Sequence, residues 1–157
     1  MFYLNFTSRM LRPLMLVMLA LTVLSHSGIA GGDTYEIYLN QKQILKQHVG
    51  QLSSGIITLQ LDQDNYNDEI VVNYSHCGVP GKGRNIIVMN EKNQVLKEWK
   101  FSDAQGSDVS MKIAVKDLLN LKKNNPNATL KLCYFSAEQL PKGRTLASIQ
   151  LTAKSVI

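Results

Sequence analysis

Apolar residues recur at every second position in many short stretches of this chain, and this spacing limits the fold more than any other feature of the sequence. Side chains of a β-strand point alternately to its two faces, so a period of two indicates strands with one buried face. Alternating or fully apolar stretches predict strands at residues 35–40, 57–61, 70–75, 86–89, 95–101, 111–115, 130–134 and 147–151. Residues 43–49 are a further candidate strand.

The connections between these strands are short and polar, and long helices are not predicted. Residues 91–94 predict a hairpin turn between two of the strands. One helix is predicted at residues 115–124, where leucines share one stripe and Pro126 follows. About eight short strands with one short helix predict an all-β fold, an antiparallel β-sandwich of the immunoglobulin-like or jelly-roll-like kind. A barrel is the alternative.

The first thirty residues have the pattern of an export signal. Arg9 and Arg12 make its start positive, residues 14–24 are apolar, and Gly28 and Ala30 place small residues before the cleavage point. A membrane-spanning helix needs about 20 apolar residues, so a retained anchor is the alternative that we favour less. We expect cleavage after residue 30, a single domain over residues 31–157 with no membrane span, and a periplasmic or extracellular location.

The charge of the chain is moderately positive. It has 17 Lys and Arg residues against 12 Asp and Glu residues, a net charge of +5, and the signal contributes two of the positive charges. A nucleic-acid-binding domain would concentrate Lys and Arg on one face, with aromatic residues between them, and no such cluster is present in the sequence. We therefore expect no nucleic-acid partner, and a protein or an anionic glycan at the cell surface instead. The oligomeric state stays open.

Cys77 and Cys133 are the two cysteines. An even number of cysteines in an exported chain predicts a disulfide. Closing a loop of about 56 residues would stabilise the fold by about 4 kcal/mol in the chain-entropy model. Both cysteines fall on the more polar side of their strands, which predicts a bridge between neighbouring strands on the outer face of one sheet. Two free thiols on separate strands are the alternative.

A Lys-Gly-Arg pattern follows each of the two cysteine-bearing strands. The four candidate anion-binding residues are Lys82, Arg84, Lys142 and Arg144. If both predicted turns lie at one end of the sandwich, these cations would converge on a carboxylate, sulfate or phosphate group, which arginine binds through two parallel hydrogen bonds. The alternative is two solvated turns in which glycine supplies the backbone conformation.

An acidic stretch at residues 62–69 provides a candidate calcium site. Asp62, Asp64 and Asp68 offer the hard oxygen ligands that calcium prefers. Tyr66 stands where an EF-hand loop has Asp or Asn, so that motif is not matched, and an acidic turn between two strands is the alternative. We expect no cofactor and no other metal.

The sequence contains no recognised catalytic motif, neither a G-x-S-x-G elbow nor an H-E-x-x-H pair. These observations predict an exported, non-catalytic binding or structural module. One alternative is a small secreted hydrolase that uses His76 with a carboxylate from another strand. Another is an assembly protein that pairs through an exposed strand edge, with residues 35–40 or 145–153 as the candidate strands.

Overall fold

The structure, a computed structural model, describes residues 32–50, 55–106 and 109–151, and within them the chain forms nine strands and one α-helix. The strands are β1 (Thr34–Leu39), β2 (Lys42–His48), β3 (Ile57–Leu61), β4 (Glu69–Ser75), β5 (Arg84–Met89), β6 (Val95–Phe101), β7 (Ser110–Ala114), β8 (Leu130–Ser136) and β9 (Leu140–Leu151). The helix α1 is Val115–Asn124, and a short 3₁₀ helix covers Gln63–Asn65.

The strands form two sheets that share one apolar core. The four-stranded sheet has the order β2-β1-β4-β7, and the five-stranded sheet has the order β3-β9-β8-β5-β6. The pairings are antiparallel, except that β3 runs parallel to β9. The predicted all-β sandwich with one short helix is therefore confirmed, with a parallel pair at one edge that the strand pattern did not indicate.

The core is built from the alternating positions that the sequence predicts. In β4, Ile70, Val72 and Tyr74 are buried, whereas the strand's two end residues are exposed. In β5, which lies between β8 and β6, Ile86, Ile87 and Val88 are all buried, as expected for a strand that is apolar on both faces. Burial of these side chains is the main favourable term in folding.

Helix α1 connects β7 of one sheet to β8 of the other, and its bounds match the prediction. Val115, Leu118 and Leu119 bury one face of the helix against the core. At its C-terminal end, Lys122 Nζ donates to the carbonyl oxygens of Pro126 and Ala128. A cation at this end of a helix is favoured by the helix dipole. Among the described residues, no helix is both long enough and apolar enough to span a membrane.

Of the predicted turns, the hairpin at residues 91–94 has its predicted place and the turn at residues 141–144 does not. Residues 91–94 join β5 to β6, as predicted, and residues 40–41 join β1 to β2 with positive φ angles that suit a two-residue turn. The predicted turn at residues 141–144 is wrong, because Pro141–Arg144 lies within β9. There Tyr134 pairs with Arg144 and Ser136 with Leu140, so the extra residues form a bulge rather than a turn.

The predicted disulfide is also wrong, since Cys77 and Cys133 are both free. Cys77 follows β4 in the four-stranded sheet, whereas Cys133 lies in β8 of the five-stranded sheet. Cys77 is exposed, whereas Cys133 lies between the core residues Leu132 and Tyr134 and so faces the side of its sheet away from the core, where its Sγ contacts Thr145 Oγ1. Alternation tells which side of a strand a cysteine occupies, but not which sheet the strand joins.

The two strands predicted as exposed edges are interior strands. β1 lies between β2 and β4, and β9 lies between β3 and β8. Among the described residues, the edge strands are instead β2, β7, β3 and β6. The predicted export signal, residues 1–30, lies outside the described residues, so signal cleavage stays a prediction.

Candidate functional site

A group of aromatic and ionisable side chains fills one end of the sandwich, between the two sheets. Asp33 immediately precedes β1 and His76 immediately follows β4, and these strands are paired with Thr34 opposite Ser75. From the other sheet, Tyr134 of β8 pairs with Arg144 of β9. The group, called the His76 cluster below, consists of Asp33, Tyr35, Tyr74, His76, Tyr134 and Arg144.

The inward direction of these side chains follows from strand alternation. Ile70, Val72 and Tyr74 are buried at every second position of β4, and His76 is the next residue in that series. Asp33 has the same relation to Tyr35 and Ile37 of β1. Strand alternation therefore already indicates in the sequence that these two polar residues face the core side, a role beyond the acid–base one predicted for His76.

Three hydrogen bonds connect the polar atoms around His76. His76 Nδ1 lies 3.3 Å from Asp33 Oδ2, and the Tyr74 hydroxyl donates to the same oxygen at 3.0 Å. On the other side of the ring, His76 Nε2 lies 3.0 Å from the Tyr134 hydroxyl. The tautomer that satisfies all three carries its proton on Nδ1, which donates to Asp33, while Nε2 accepts from Tyr134.

The aromatic rings of the cluster pack on one another across the two sheets. Tyr74 lies against Tyr134 with ring centroids 4.2 Å apart and planes within 17° of parallel. The Tyr35 ring lies parallel to Tyr74, its neighbour on the adjacent strand, with centroids 6.0 Å apart, and His76 is tilted against Tyr74 at 4.7 Å. Such pairs add about 0.5–1.5 kcal/mol each beyond the burial of their surface. The cluster thus joins the two sheets through both packing and hydrogen bonds.

Burial dominates the electrostatics of the cluster. It lowers the pKa of His76, while Asp33 opposes this shift and the positive charge of Arg144 adds to it. Burial also raises the pKa of the Tyr74 and Tyr134 hydroxyl groups. His76 and both tyrosines are consequently neutral at pH 7, and the charges of the cluster reside on Asp33 and Arg144.

The loop at residues 78–83 closes the outer side of the cluster. A Cβ atom at Gly81 would lie 2.8 Å from the Tyr134 hydroxyl and 3.3 Å from His76 Cδ2, so only glycine lets the backbone approach this closely. The side chain of His76 is 5% exposed and Tyr134 is fully buried. The order Asp–His–hydroxyl is that of a nucleophilic triad, but here the hydroxyl group is enclosed by the fold.

The four predicted anion-binding residues lie at this same end of the sandwich, where the structure separates them into two roles. Arg84 is buried, and its guanidinium group donates to the carbonyl oxygens of Ser102 (2.7 Å) and Val109 (2.9 Å). Arg144 belongs to the His76 cluster; its Nε is buried without a hydrogen-bond partner among the described residues. Arg84 therefore holds the backbone together, whereas Arg144 forms a side-chain hydrogen bond with Tyr74 and also acts on the cluster through its charge.

Lys82 and Lys142 are the exposed members of the predicted set. The Lys82 ammonium group lies 3.2 Å from the Glu138 carboxylate, in the turn between β8 and β9. The carbonyl oxygen of Lys82 accepts from the Ala137 amide at 2.9 Å, so the loop before β5 is attached to this turn. The two Lys-Gly-Arg patterns thus meet at one end, with two lysines facing solvent.

The predicted calcium residues have local structural roles. Asp62 caps the 3₁₀ helix by accepting from the amides of Asp64 and Asn65. Asp68 accepts from the side-chain amides of Asn40 and Asn65. In the part of the chain that the structure describes, no three His, Cys, Asp or Glu side chains come together as a metal site would require.

A second candidate surface is the open side of the sandwich beside β3. A groove of about 250 Å³ lies between this strand and the β1–β2 hairpin. Its apolar lining comes from Leu39, Ile44, Ile57, Leu59 and Leu61. Unlike the His76 cluster, this surface contains no ionisable side chain among its lining residues, so it is suited to packing rather than to acid–base chemistry.

Comparison with known proteins adds no relative. No protein-family model matches the chain, and no curated protein sequence matches it. A function for the chain therefore has to follow from its own residues.

Proposed function

We propose that residues 31–157 form an exported, non-catalytic module that binds a protein or an anionic glycan at the cell surface. The observation that carries the proposal is the enclosure of His76. Both of its ring nitrogens have partners inside the fold, Asp33 and Tyr134, and 5% of its side chain is exposed. A general acid or base must come within hydrogen-bond reach of a substrate proton, and His76 has no free nitrogen for that contact.

Lys82 and Lys142 support an anionic partner at the same end of the sandwich. Both are exposed, and the two segments that carry them are attached to each other through the Lys82 carbonyl and the β8–β9 turn. Glu138 pairs with Lys82, but exposed ion pairs contribute only about 0–1 kcal/mol, so an incoming sulfate or carboxylate can displace it. The export pattern of residues 1–30 supports a periplasmic or extracellular location.

A binding experiment with a matched control tests this proposal. Heparin is the sulfated probe and neutral dextran is the reference. The double variant Lys82→Glu with Lys142→Glu should bind heparin at least tenfold more weakly than the wild type, which corresponds to about 1.4 kcal/mol. The control variant, Lys92→Glu with Lys116→Glu, changes the net charge equally at exposed positions on the opposite end of the sandwich. An equal loss in both variants would contradict a binding site at Lys82 and Lys142.

The hydrolase alternative is tested with His76→Gln. The glutamine side chain can still donate to Asp33 but cannot act as a base at neutral pH. The wild type and the variant are compared on panels of nitrophenyl esters and glycosides. Hydrolysis by the wild type that disappears in a folded His76→Gln protein would overturn the proposal of a non-catalytic module.

A further inference from the structure

The four edge strands of the described residues differ in charge, and β3 is the exception among them. β2 carries Lys42 and Lys46, β6 carries Lys97, Glu98 and Lys100, and β7 carries Lys112. β3, with the sequence Ile-Thr-Leu-Gln-Leu, carries no charge. Charged side chains, lysine above all, are the common means by which proteins keep an edge strand from pairing with another chain. β3 lacks that protection.

Apolar surface accompanies the uncharged edge. Ile56, directly before β3, is 59% exposed, and Ile44, across the groove on β2, is 38% exposed. Ile57 is half-buried and lines the groove between them. An added strand would cover part of this surface while satisfying the backbone groups on the side of β3 that faces away from β9.

The residue pattern of β3 is symmetric about its centre. Apolar residues stand at positions 57, 59 and 61, and uncharged polar residues at 58 and 60. A twofold axis makes the same patch serve on both partners, so an interface of this type must be self-complementary. β3 meets that condition when it is paired antiparallel with itself about Leu59.

We propose that β3 pairs with β3 of a second copy of this chain, which joins the two five-stranded sheets into one continuous sheet. In this register Leu59 faces Leu59, Ile57 faces Leu61, and Thr58 faces Gln60 of the other copy. The apolar residues then meet on the core side and the polar residues on the outer side. The proposal is independent of the anionic ligand and of Lys82 and Lys142.

Among the edge strands of the described residues, β3 is the one where charge opposes pairing with a second copy least. Without the two arginines of the predicted signal, each exported chain has 15 Lys and Arg against 12 Asp and Glu, a net charge of +3, so two copies repel each other across most surfaces. Pairing through β2, β6 or β7 would bring lysines of both copies together, and like charges directly opposite each other destabilise a strand pair. β3 lets two copies pair without that repulsion.

Sedimentation velocity over a range of concentrations tests the proposal on the exported protein. We expect a monomer–dimer equilibrium for the wild type. Gln60→Lys places two lysines at diagonal positions of the dimer, residues about 7–8 Å apart, and their like charges should raise the dimer dissociation constant at least tenfold. Gln43→Lys is the matched control, because Gln43 is an exposed glutamine on the edge strand β2, and it should leave the equilibrium unchanged.

A charge-exchange experiment distinguishes pairing of β3 with itself from other modes of association. Gln60→Lys and Gln60→Glu proteins should each dimerise poorly alone, and an equimolar mixture should recover the dimer because opposite charges then meet. A wild type that stays monomeric at every concentration overturns the proposal, whether the edge is covered by another part of the chain or by an extended segment of a different protein. A dimer that Gln60→Lys does not weaken overturns it equally.

Discussion

The closed His76 cluster and the open edge of β3 are two regions of opposite character. In the cluster, the buried side chains of Tyr74, His76 and Tyr134 have polar partners within the fold. Beside β3, the side chains of Ile56 and Ile44 and one side of the strand's backbone are left at the surface of the described chain. This difference shows that ionisable residues such as His76 can stabilise a fold without taking part in chemistry. The uncharged strand β3 is the better candidate for contact with a partner.

The difference has an energetic basis. Removing one member of a buried hydrogen-bonded group leaves another without a partner, at a cost of about 1–3 kcal/mol. Changing an exposed side chain away from such features usually alters stability by less than about 0.5 kcal/mol. Substitutions in the cluster should therefore lower the free energy of unfolding. Substitutions on β3 should instead change the dissociation constant of the proposed dimer.

The largest effect is expected for Tyr74→Ala. Tyr74 is buried against Tyr35 and Tyr134, so its removal leaves a cavity and should lower the free energy of unfolding by about 3–5 kcal/mol. Tyr66→Ala is the control, because Tyr66 is exposed and its truncation should have little effect. Urea unfolding of both variants makes the measurement. Similar losses for the two tyrosines would show that the cluster is not the stabilising region.

A smaller loss is expected for Gly81→Ala. The added methyl group would press on the Tyr134 hydroxyl and on the side chains of Arg84 and His76, and overpacking of this kind costs about 1–3 kcal/mol. Gly55→Ala adds the same group where no atom of the described residues lies within 4 Å. Thermal unfolding of the two variants compares a closed position with an open one. Equal stability would mean that the loop over the cluster can move aside.

The pH dependence of stability should also distinguish the two regions. Because burial lowers the pKa of His76 in the folded state, the unfolded chain binds a proton at this residue at higher pH than the folded chain does. The resulting destabilisation begins as the pH falls below about 6.5 and grows until the folded pKa is reached, with about 1.4 kcal/mol for each unit of difference. Urea unfolding from pH 7 to pH 5 should therefore show a steeper loss for the wild type than for His76→Gln.

The comparison with His76→Gln removes the contribution of the carboxylates. Glu36, whose pKa is lowered by its hydrogen bonds to Lys46 and Tyr38, also loses stabilising interactions in acid, and it is unchanged in the variant. A variant as sensitive to acid as the wild type would mean that His76 is protonated without disturbing the cluster.

The smallest effect on folding is expected for Gln60→Lys. Gln60 is exposed on the outer face of β3, so its replacement should change the free energy of unfolding by less than about 0.5 kcal/mol, measured on the monomer at low concentration. A large loss of stability would show that the outer face of β3, like the cluster, contributes to folding. The two regions would then no longer differ in this respect.

Much of the fold was predictable, because the information was local. The alternation of Ile70, Val72 and Tyr74 located β4 and its buried face, and the same rule extended by one step points His76 inward. The bounds of α1 were predicted from its apolar stripe and the proline beyond its end. The hairpin at residues 91–94 was likewise predicted from neighbouring strands and a polar turn.

The failed predictions all concern which strands are neighbours. Cys77 and Cys133 have the parity expected for a shared outer face, but their strands belong to different sheets. The second Lys-Gly-Arg pattern resembles a turn, but it is a bulge in β9, since its pairing with β8 continues on both sides. β1 and β9 were predicted to be edge strands, and both are interior strands. Their sequences do not differ from those of the other strands in a way that would reveal this.

The sequence by itself therefore determined the positions of the strands, the faces that they bury and the single helix, since alternation and helical periodicity are properties of a few consecutive residues. Only the tertiary structure decided the order of the strands, and with it the meeting of Asp33 with His76, the separation of the cysteines and the place of β3 at an edge. Strand pairing joins residues far apart in the chain, here 57 with 147 and 34 with 75. The cost of closing such a loop grows only slowly with its length, so the spacing of residues along the chain does not reveal which strands will pair.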